Sequence, residues 1–184
     1  DRFRIIAGVR YSYIKLNANE VTFSGLPGEL SNSWDALTYS LHGVYDFTED
    51  GSINGFAGIS QGFRAPNLSD TTRDDEFGSS GNESPTADLD PEYYTTYEMG
   101  LNVKEENFSM QLSVFHTQIR DLIARETTTK TNLNDGHVNG SELALTYRFT
   151  PRWSVFGNIS WVDTEIKNHR SQNIANELIT DQLS

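Results

Sequence analysis

Residues 37–59, LTYSLHGVYDFTEDGSINGFAGI, alternate apolar with polar side chains, pause at a short polar turn and then resume the alternation. Every second residue from Leu37 to Phe47 is apolar or glycine, and most residues between them are polar. A period of two is the pattern of a β-strand whose two faces meet different surroundings. The four residues from Thr48 to Gly51 have the composition of a tight turn, so the stretch predicts two antiparallel strands paired as a hairpin.

The same alternation returns along the chain and predicts about seven strands. In each segment one parity is mainly apolar and the other is mainly polar. The apolar parities run from Phe3 to Tyr13, Leu37 to Phe47, Ile53 to Ile59, Tyr97 to Val103, Phe108 to Val114, Leu143 to Phe149 and Trp153 to Trp161. Each strand is therefore predicted to turn one face to an apolar solvent and the other to a wet interior.

Two places break the alternation. Phe56 falls on the polar parity of the third segment. Beyond Val114 the apolar parity would continue with polar residues, namely His116, Gln118 and Arg120. We expect that stretch either to rise above the apolar band or to contain a bulge that resets the register.

The connections between the segments alternate in length. Short turns at 48–51, 105–107 and 150–152 alternate with long polar connections at about 17–34, 61–93, 124–138 and from 163 onward. Outer-membrane barrels keep short turns at one rim and longer loops at the other. The sequence therefore predicts an all-β fold, an antiparallel transmembrane β-barrel segment of about seven meander strands with short turns on one rim and long loops on the other.

The composition excludes several other classes. The chain has 184 residues and a mean hydropathy of −0.54, and no apolar run reaches the roughly 18–20 residues of a membrane helix. Cysteine is absent, which excludes disulfides and thiolate chemistry. A net charge of −12 argues against nucleic acid as a partner. Outer-membrane lipid is the partner that the alternating strands predict.

Aromatic side chains gather at both ends of the segments, as in the two interfacial girdles of membrane barrels. Near the short turns they are Tyr45, Phe47, Phe108, Tyr147, Phe149 and Trp153. Near the long connections they are Tyr11, Tyr13, Trp34, Tyr93, Tyr94 and Trp161. The segments, at about 10–14 residues each, are long enough for tilted strands to cross a bilayer.

The first residues already have the pattern of a strand interior and show no signal-peptide pattern. Seven strands would also leave two open edges, which a lipid environment does not tolerate. We therefore expect residues 1–184 to be part of one barrel domain, with the remaining strands outside this sequence.

Several motifs in a fixed order resemble the C-terminal barrel half of TonB-dependent receptors. They are Gln61–Leu68, Ala87–Glu92, Tyr97–Leu101, Phe115–Ile123, Asn134–Gly136 and Gly140–Leu143. Their order and spacing resemble the family together, and the strand layout extends the resemblance over most of the chain.

The resemblance implies a barrel of about 22 strands closed by an N-terminal plug, in the outer membrane of a Gram-negative bacterium. Such receptors import a scarce small-molecule nutrient, such as a ferric siderophore or similar chelate. The energy comes from a TonB-type transducer that acts through the plug. The plug and its transducer-binding segment are not expected within these residues, and the resemblance implies neither enzymatic activity nor a cofactor.

The family motif at the extracellular rim comprises Phe63, Arg64, Ala65, Pro66, Asp90, Pro91 and Glu92. A guanidinium at a strand end can fork onto a neighbouring carboxylate, and we expect Arg64 to pair with Asp90 or Glu92. The two prolines would end the flanking strands. The motif is interpreted as a structural clasp at the base of the loop, and the residues that contact a ligand are not identified. Haem uptake is disfavoured because residues 67–90 hold no histidine.

Other candidate sites have weaker support. An acidic loop could bind calcium through Asp70, Asp74, Asp75, Glu76, Glu83, Asp88 and Asp90, but it lacks EF-hand spacing. His137 beside Asp135 and His169 beside Arg170 form no recognisable zinc pattern, so no metal ligand is predicted.

Two alternative functions fit parts of the sequence. A soluble β-sandwich could bind carbohydrate or another ligand with its long loops, provided that a second sheet covers the apolar parity. An outer-membrane barrel enzyme could use Ser40, His42 or His116, but their spacing shows no nucleophile and base, so no catalytic residue is predicted.

Overall fold

The computed structural model describes residues 1–23, 26–72, 85–126 and 129–168. They form one antiparallel sheet of seven strands in chain order, which confirms the predicted meander. The strands are β1 (Phe3–Phe23), β2 (Leu26–Asp46), β3 (Ile53–Arg64), β4 (Glu92–Lys104), β5 (Phe108–Glu126), β6 (Thr129–Thr150) and β7 (Trp153–Asn168). A single helical turn, α1 (Leu68–Thr71), follows β3.

The register carries the predicted apolar parity from strand to strand. One row of successive partners reads Phe3, Tyr45, Gly55, Leu101, Leu112, Leu143 and Ile159. All of these positions belong to the predicted apolar parities, so the sheet has one apolar face and one polar face. The side chains of Val9 and Trp153 are each 74% exposed on the apolar face. Within the described ranges the fold is a single sheet, so the sandwich with a second covering sheet is wrong.

The apolar band slants across the sheet. It begins at Phe3 on β1, in the same row as Ile159 of β7, but on β7 it begins at Trp153, six residues earlier. Because β7 lies six strand steps from β1, the band shifts by about one residue per strand. With about 3.3 Å per residue and about 4.8 Å between strands, this slope corresponds to a strand tilt of roughly 35°. Membrane barrels tilt their strands by about that much.

Two connections that were predicted as long loops are extensions of paired strands. Instead of a loop over 17–34, β1 and β2 stay paired, across one irregularity, as far as Phe23 and Leu26. Instead of a loop over 124–138, β5 and β6 pair as far as Glu126 and Thr129. At the end of the first hairpin the outward parity becomes polar, with Lys15, Asn17 and Asn19, while Ile14, Leu16 and Ala18 fall on the other parity. The outward apolar pattern therefore stops, yet backbone pairing depends on main-chain groups alone.

The tight turn after β2 has the predicted place and chemistry. The Thr48 hydroxyl accepts the N–H of Ile53 at 3.0 Å, and the Asp50 carboxylate accepts the N–H of Ser52 at 3.0 Å. Gly51 has a φ of 71°, a conformation that glycine adopts without a steric penalty. These local bonds fix the register between β2 and β3.

Aromatic rings cover glycines of neighbouring strands on the polar face, which explains why Phe56 breaks the alternation. His42, Phe56 and Phe115 are the register partners of Gly58, Gly100 and Gly140, respectively. At each glycine an added Cβ would lie within 2.5 Å of the ring. The missing side chain therefore leaves the space that the ring occupies, an arrangement known as aromatic rescue.

The stretch beyond Val114 stays regular at first. β5 keeps its register with β4 as far as Arg120, so no bulge follows Val114 directly. Its register with β6 shifts only after Ile119 and again after Leu122. His116 and its neighbours therefore keep the apolar parity but lie above the slanted band, where Nδ1 of His116 is 2.7 Å from the amide oxygen of Asn139.

Buried apolar residues are few in the described part of the chain and gather near the end of the sheet with the long connections, here called the loop rim. They include Val21, Leu30, Ala36, Ala65 and Leu89. The helices of the described residues include none with the length and apolar character needed to cross a membrane. Packing is therefore concentrated at the loop rim.

We expect Gly140→Ala to lower the free energy of unfolding by about 1–3 kcal/mol, because the new Cβ would lie 2.3 Å from Cζ of Phe115. Combining it with Phe115→Ala removes the overlap, so the two effects should not add. Gly157→Ala is the matched control, since no heavy atom lies within 4 Å of its added Cβ. Urea unfolding of the full protein in detergent measures both. Strict additivity of the two changes would contradict the ring-over-glycine interpretation.

Candidate functional site at the loop rim

Arg64 and Glu92 form a forked ion pair at the loop rim. They are register partners at the ends of β3 and β4. Nε and Nη2 of Arg64 donate to the two carboxylate oxygens of Glu92, each at 2.7 Å. Nη1 donates to Oδ2 of Asp70 on α1, also at 2.7 Å. Of the two carboxylates that the sequence suggested for Arg64, the structure therefore places the guanidinium on Glu92.

Glu92 joins three strands. Its side chain is almost fully buried, with the residue 1% exposed. Besides the fork, it accepts the hydroxyl of Tyr94 and, at 2.9 Å, the N–H of Ile123. Ile123 lies where the pairing between β5 and β6 becomes irregular, so its N–H is available to a side chain. Because a buried carboxylate needs such partners, Glu92 holds β3, β4 and β5 in one arrangement.

Asp70 extends the cluster to β6. The carboxylate accepts the backbone N–H of Asn67 in a capping box, the Arg64 guanidinium, and Nζ of Lys130 at 3.0 Å. Lys130 Nζ also donates to the backbone carbonyl of Ser69 at 3.1 Å. Burial alone would raise the pKa of Asp70, but the hydrogen bonds from Asn67, Arg64 and Lys130 outweigh it and hold the pKa below its usual value.

No signal in the sequence pairs Asp70 with Lys130, although both residues belong to the cluster. Lys130 is sixty residues from Asp70, and in the sequence Asp70 is only one of several loop carboxylates. Tyr94 was expected in an aromatic girdle, but its hydroxyl bonds Glu92 on the polar face. The N-x-x-D capping pattern at Asn67 was the one local sign that α1 would form there. We name the cluster of Arg64, Asp70, Glu92, Tyr94 and Lys130 the clasp.

A segment at 85–91, here called the rim strap, crosses from the clasp to β2. The amide of Asn32 donates to the carbonyl of Ala87 at 2.6 Å, and the indole of Trp34 donates to the carbonyl of Leu89 at 3.0 Å. Trp34 pairs with Ile14 and so lies on the polar parity, which contradicts its predicted place in an outward girdle. Because these bonds use strap carbonyls, they fix the path of the strap whatever side chains it carries.

Asn132 fastens the other end of the strap to β5 and β6. Its amide oxygen accepts the N–H of Asp90 at 2.8 Å, and its nitrogen donates to the carbonyls of Asp90 and Asp121 at 2.8 and 2.7 Å. Asp121 has a φ of 57°, an uncommon value for a residue with a side chain. Asp90 thus contributes its backbone, and its side chain is exposed.

The remaining residues of the rim motif flank the clasp. Ala65, Pro66 and Pro91 are buried beside it. Phe63 and Tyr93 are register partners one position further along the strands, and their ring centroids lie 6.3 Å apart. The motif residues therefore come together at one place, where they support ion pairing and packing.

Other polar groups are dispersed. Among the described residues no group of three or more His, Asp or Glu side chains could hold a metal ion. His42 lies 3.3 Å from Glu98, and His137 lies 3.5 Å from Glu165, each as a single pair. The proposed calcium residues Asp74, Asp75, Glu76 and Glu83, and the pair His169 and Arg170, lie outside the described residues.

Glu92→Gln is expected to lower the free energy of unfolding by about 1–3 kcal/mol, because the amide cannot accept the guanidinium fork as a carboxylate does. Asp90→Asn, two residues away, should have little effect, since Asp90 is held by its backbone. Denaturant unfolding of the full protein provides the comparison. If Glu92→Gln left stability unchanged but abolished transport, the structural role of the clasp would be disproved.

The pKa of Asp70 predicts a loss of stability in acid. Its folded-state pKa lies below the unfolded value of about 4, so its contribution is fully present above that pH and is lost as the pH falls through the folded pKa. The stability difference between wild type and Asp70→Asn should therefore be largest near neutral pH and shrink below about pH 4. Thermal unfolding over a pH series measures it, and a difference that grows on acidification would contradict the assignment.

The sequence was compared with known families and proteins. Residues 1–181 match the family described as TonB dependent receptor-like, beta-barrel. One relative is the "Probable TonB-dependent siderophore receptor PiuA" of Acinetobacter baumannii, which is 24% identical over 169 residues. That match covers 89% of this chain and 22% of PiuA, so the chain spans about a fifth of the length of this relative.

Solved structures share the fold. The copper transporter OprC superposes with a TM-score of 0.69 at 18% identity, over 89% of this chain and 27% of its own. The ferric yersiniabactin uptake receptor FyuA from Yersinia pestis superposes with a TM-score of 0.64 at 23% identity, over 90% of this chain and 25% of its own. The siderophore receptor PirA from Pseudomonas aeruginosa superposes with a TM-score of 0.62 at 20% identity, over 86% of this chain and 32% of its own. The chain belongs to the TonB-dependent receptor β-barrel family.

Proposed function

We propose that residues 1–184 form part of the barrel wall of a Gram-negative outer-membrane receptor that imports a ferric siderophore or a similar metal chelate. The family supports TonB-dependent uptake, and its members are receptors and transporters rather than enzymes. The siderophore class is favoured by the names of PiuA, FyuA and PirA, whereas OprC carries copper. The other strands, the plug and the segment that contacts the energy transducer would belong to the rest of the receptor.

The single observation that carries this proposal is the two-faced sheet. Its apolar face exposes large side chains such as Ile5, Val9 and Leu37, each more than 60% exposed. Such a surface is costly in water and suits acyl chains. The opposite face carries ion pairs, including Arg4 with Asp46 at 2.7 Å, and suits an aqueous interior. The slanted band agrees with the tilt that a closed barrel requires.

For the rim motif we propose a structural role at the extracellular side. Every oxygen of the Glu92 carboxylate is occupied by protein donors, which leaves little capacity for a ligand. Ala65, Pro66 and Pro91 are buried, so they too are inaccessible to a ligand. The motif would thus set where the rim strap leaves the wall, and the strap in turn would shape the mouth.

Transport by the full receptor tests the proposal. The receptor that contains these residues is expressed in cells that lack their own ferric-chelate receptors, and the accumulation of radioactive iron from ferric chelates is measured. We expect accumulation that disappears when the energy-transducing complex is disabled, and we expect the receptor in the outer-membrane fraction. Uptake of copper or cobalamin without uptake of iron would contradict a siderophore as the substrate. Iron accumulation that is unchanged when the energy-transducing complex is disabled would contradict TonB-dependent transport.

A further inference from the structure

Arg10 lies on the polar face of β1, and none of the described residues gives it a partner of opposite charge. Its register partner is Thr38 of β2, and the flanking residues Val9 and Tyr11 belong to the apolar face. Within the described ranges the guanidinium takes part in no ion pair and no side-chain hydrogen bond. The residue is exposed, so its guanidinium donors are not taken up by the part of the chain that the structure describes.

The wall is hollowed beside Arg10. The pairing of β2 with β3 ends at Ser40 and Ser60, although both strands continue towards the loop rim. A concavity of about 740 Å³ opens there between the two strands, and residues of both faces line it. From the polar face they include Arg10 with Gly8, Ser12, Ser40, Ser60 and Gly62, and from the apolar face Val9, Tyr11 and Tyr39. Because the polar-face residues other than Arg10 named here are small, there is room on that face for a ligand group beside the guanidinium.

The nearby carboxylates of the polar face are already occupied. Asp46 accepts two hydrogen bonds from Arg4, at 2.7 and 3.1 Å. Glu98 lies 3.3 Å from His42, and the two clasp carboxylates are held by the clasp cations. The charge of Arg10 is thus not cancelled by the part of the wall that the structure describes.

The surroundings of Arg10 match an anion. A guanidinium presents a planar set of donors that suits carboxylate, phosphate and similar oxygen anions. Ser12 on the same strand and Ser40, diagonal to Arg10 across the β1–β2 pair, can add hydroxyl donors. The chain as a whole carries a net charge of −12, so an isolated cation is the place where an anion is least repelled.

We infer that Arg10, with Ser12 and Ser40, forms an anion subsite on the lumenal wall that favours negatively charged metal chelates over neutral ones. The inference rests on the proposed function and specifies that the imported chelate is negatively charged. The ligand groups it would bind are carboxylate or catecholate oxygens of the chelate. The subsite lies between the rim strap and the tight turns, along the route from the mouth to the interior.

Binding to the purified full receptor tests the subsite with two probes, an anionic ferric tris-catecholate and a neutral ferric tris-hydroxamate. Arg10→Gln should weaken binding of the anionic chelate by about tenfold, because a charge-assisted hydrogen bond is lost, and should leave the neutral one unchanged. Arg10→Lys should recover part of the affinity. Arg120→Gln is the matched control, since Arg120 pairs with Tyr93 on the opposite face; it should change neither affinity.

The outcomes separate the subsite from the proposed function. If wild type binds only the neutral chelate, or if Arg10→Gln weakens both probes equally, the subsite is wrong while siderophore uptake stands. A fall in thermal stability of Arg10→Gln without a charge-dependent change in affinity would show that Arg10 instead pairs with another part of the receptor. Failure of wild type to bind either chelate would overturn the proposed function, and the subsite with it.

Discussion

Backbone hydrogen bonding between neighbouring strands is the constraint on which the rest of this structure depends. Side chains alternate between two faces, so a slip of one residue would place ion-paired residues such as Arg4 on the apolar face. The tight turn at Thr48–Gly51 fixes the register of β2 against β3 at one rim. The clasp fixes the register of β3 against β4 at the opposite rim, the loop rim. The register is therefore held at both rims, and the middle of the sheet needs only alternation.

The clasp shows how a buried charge can organise a loop. A carboxylate as inaccessible as that of Glu92 would be unfavourable alone, and the donors around it come from three different strands. Asp70 is stabilised in the same way, because its carboxylate accepts hydrogen bonds from Arg64 and from a second cation, Lys130. The two carboxylates and two cations leave no net charge, which suits a partly buried site. The loop base is thus set by electrostatic pairing together with the few buried apolar residues of the loop rim.

The alternating residues of the apolar band made the strands and their faces predictable, because burial in an apolar solvent leaves a period of two in the sequence. Beyond the band the outward positions become polar, so the sequence predicts loops where the hairpins extend to Phe23 and Glu126. Phe56 broke the pattern because it fills space above Gly100, a relation between strands that local sequence does not encode. At the rim, Arg64 and its carboxylate were predictable from the motif. Lys130 was not, because its partner is distant along the chain.

The long hairpin of β1 and β2 has a mechanical consequence. Beyond Tyr13 the paired strands continue for about ten residues, which at about 3.3 Å per residue makes a rib roughly 30 Å long. A paired rib is stiffer than a single chain of the same composition, since its backbone groups are tied to each other. A ligand approaching from outside would meet a rigid hairpin on this side of the entrance. Because its side chains are not needed for the pairing, its polar surface could change in evolution without disturbing the barrel wall.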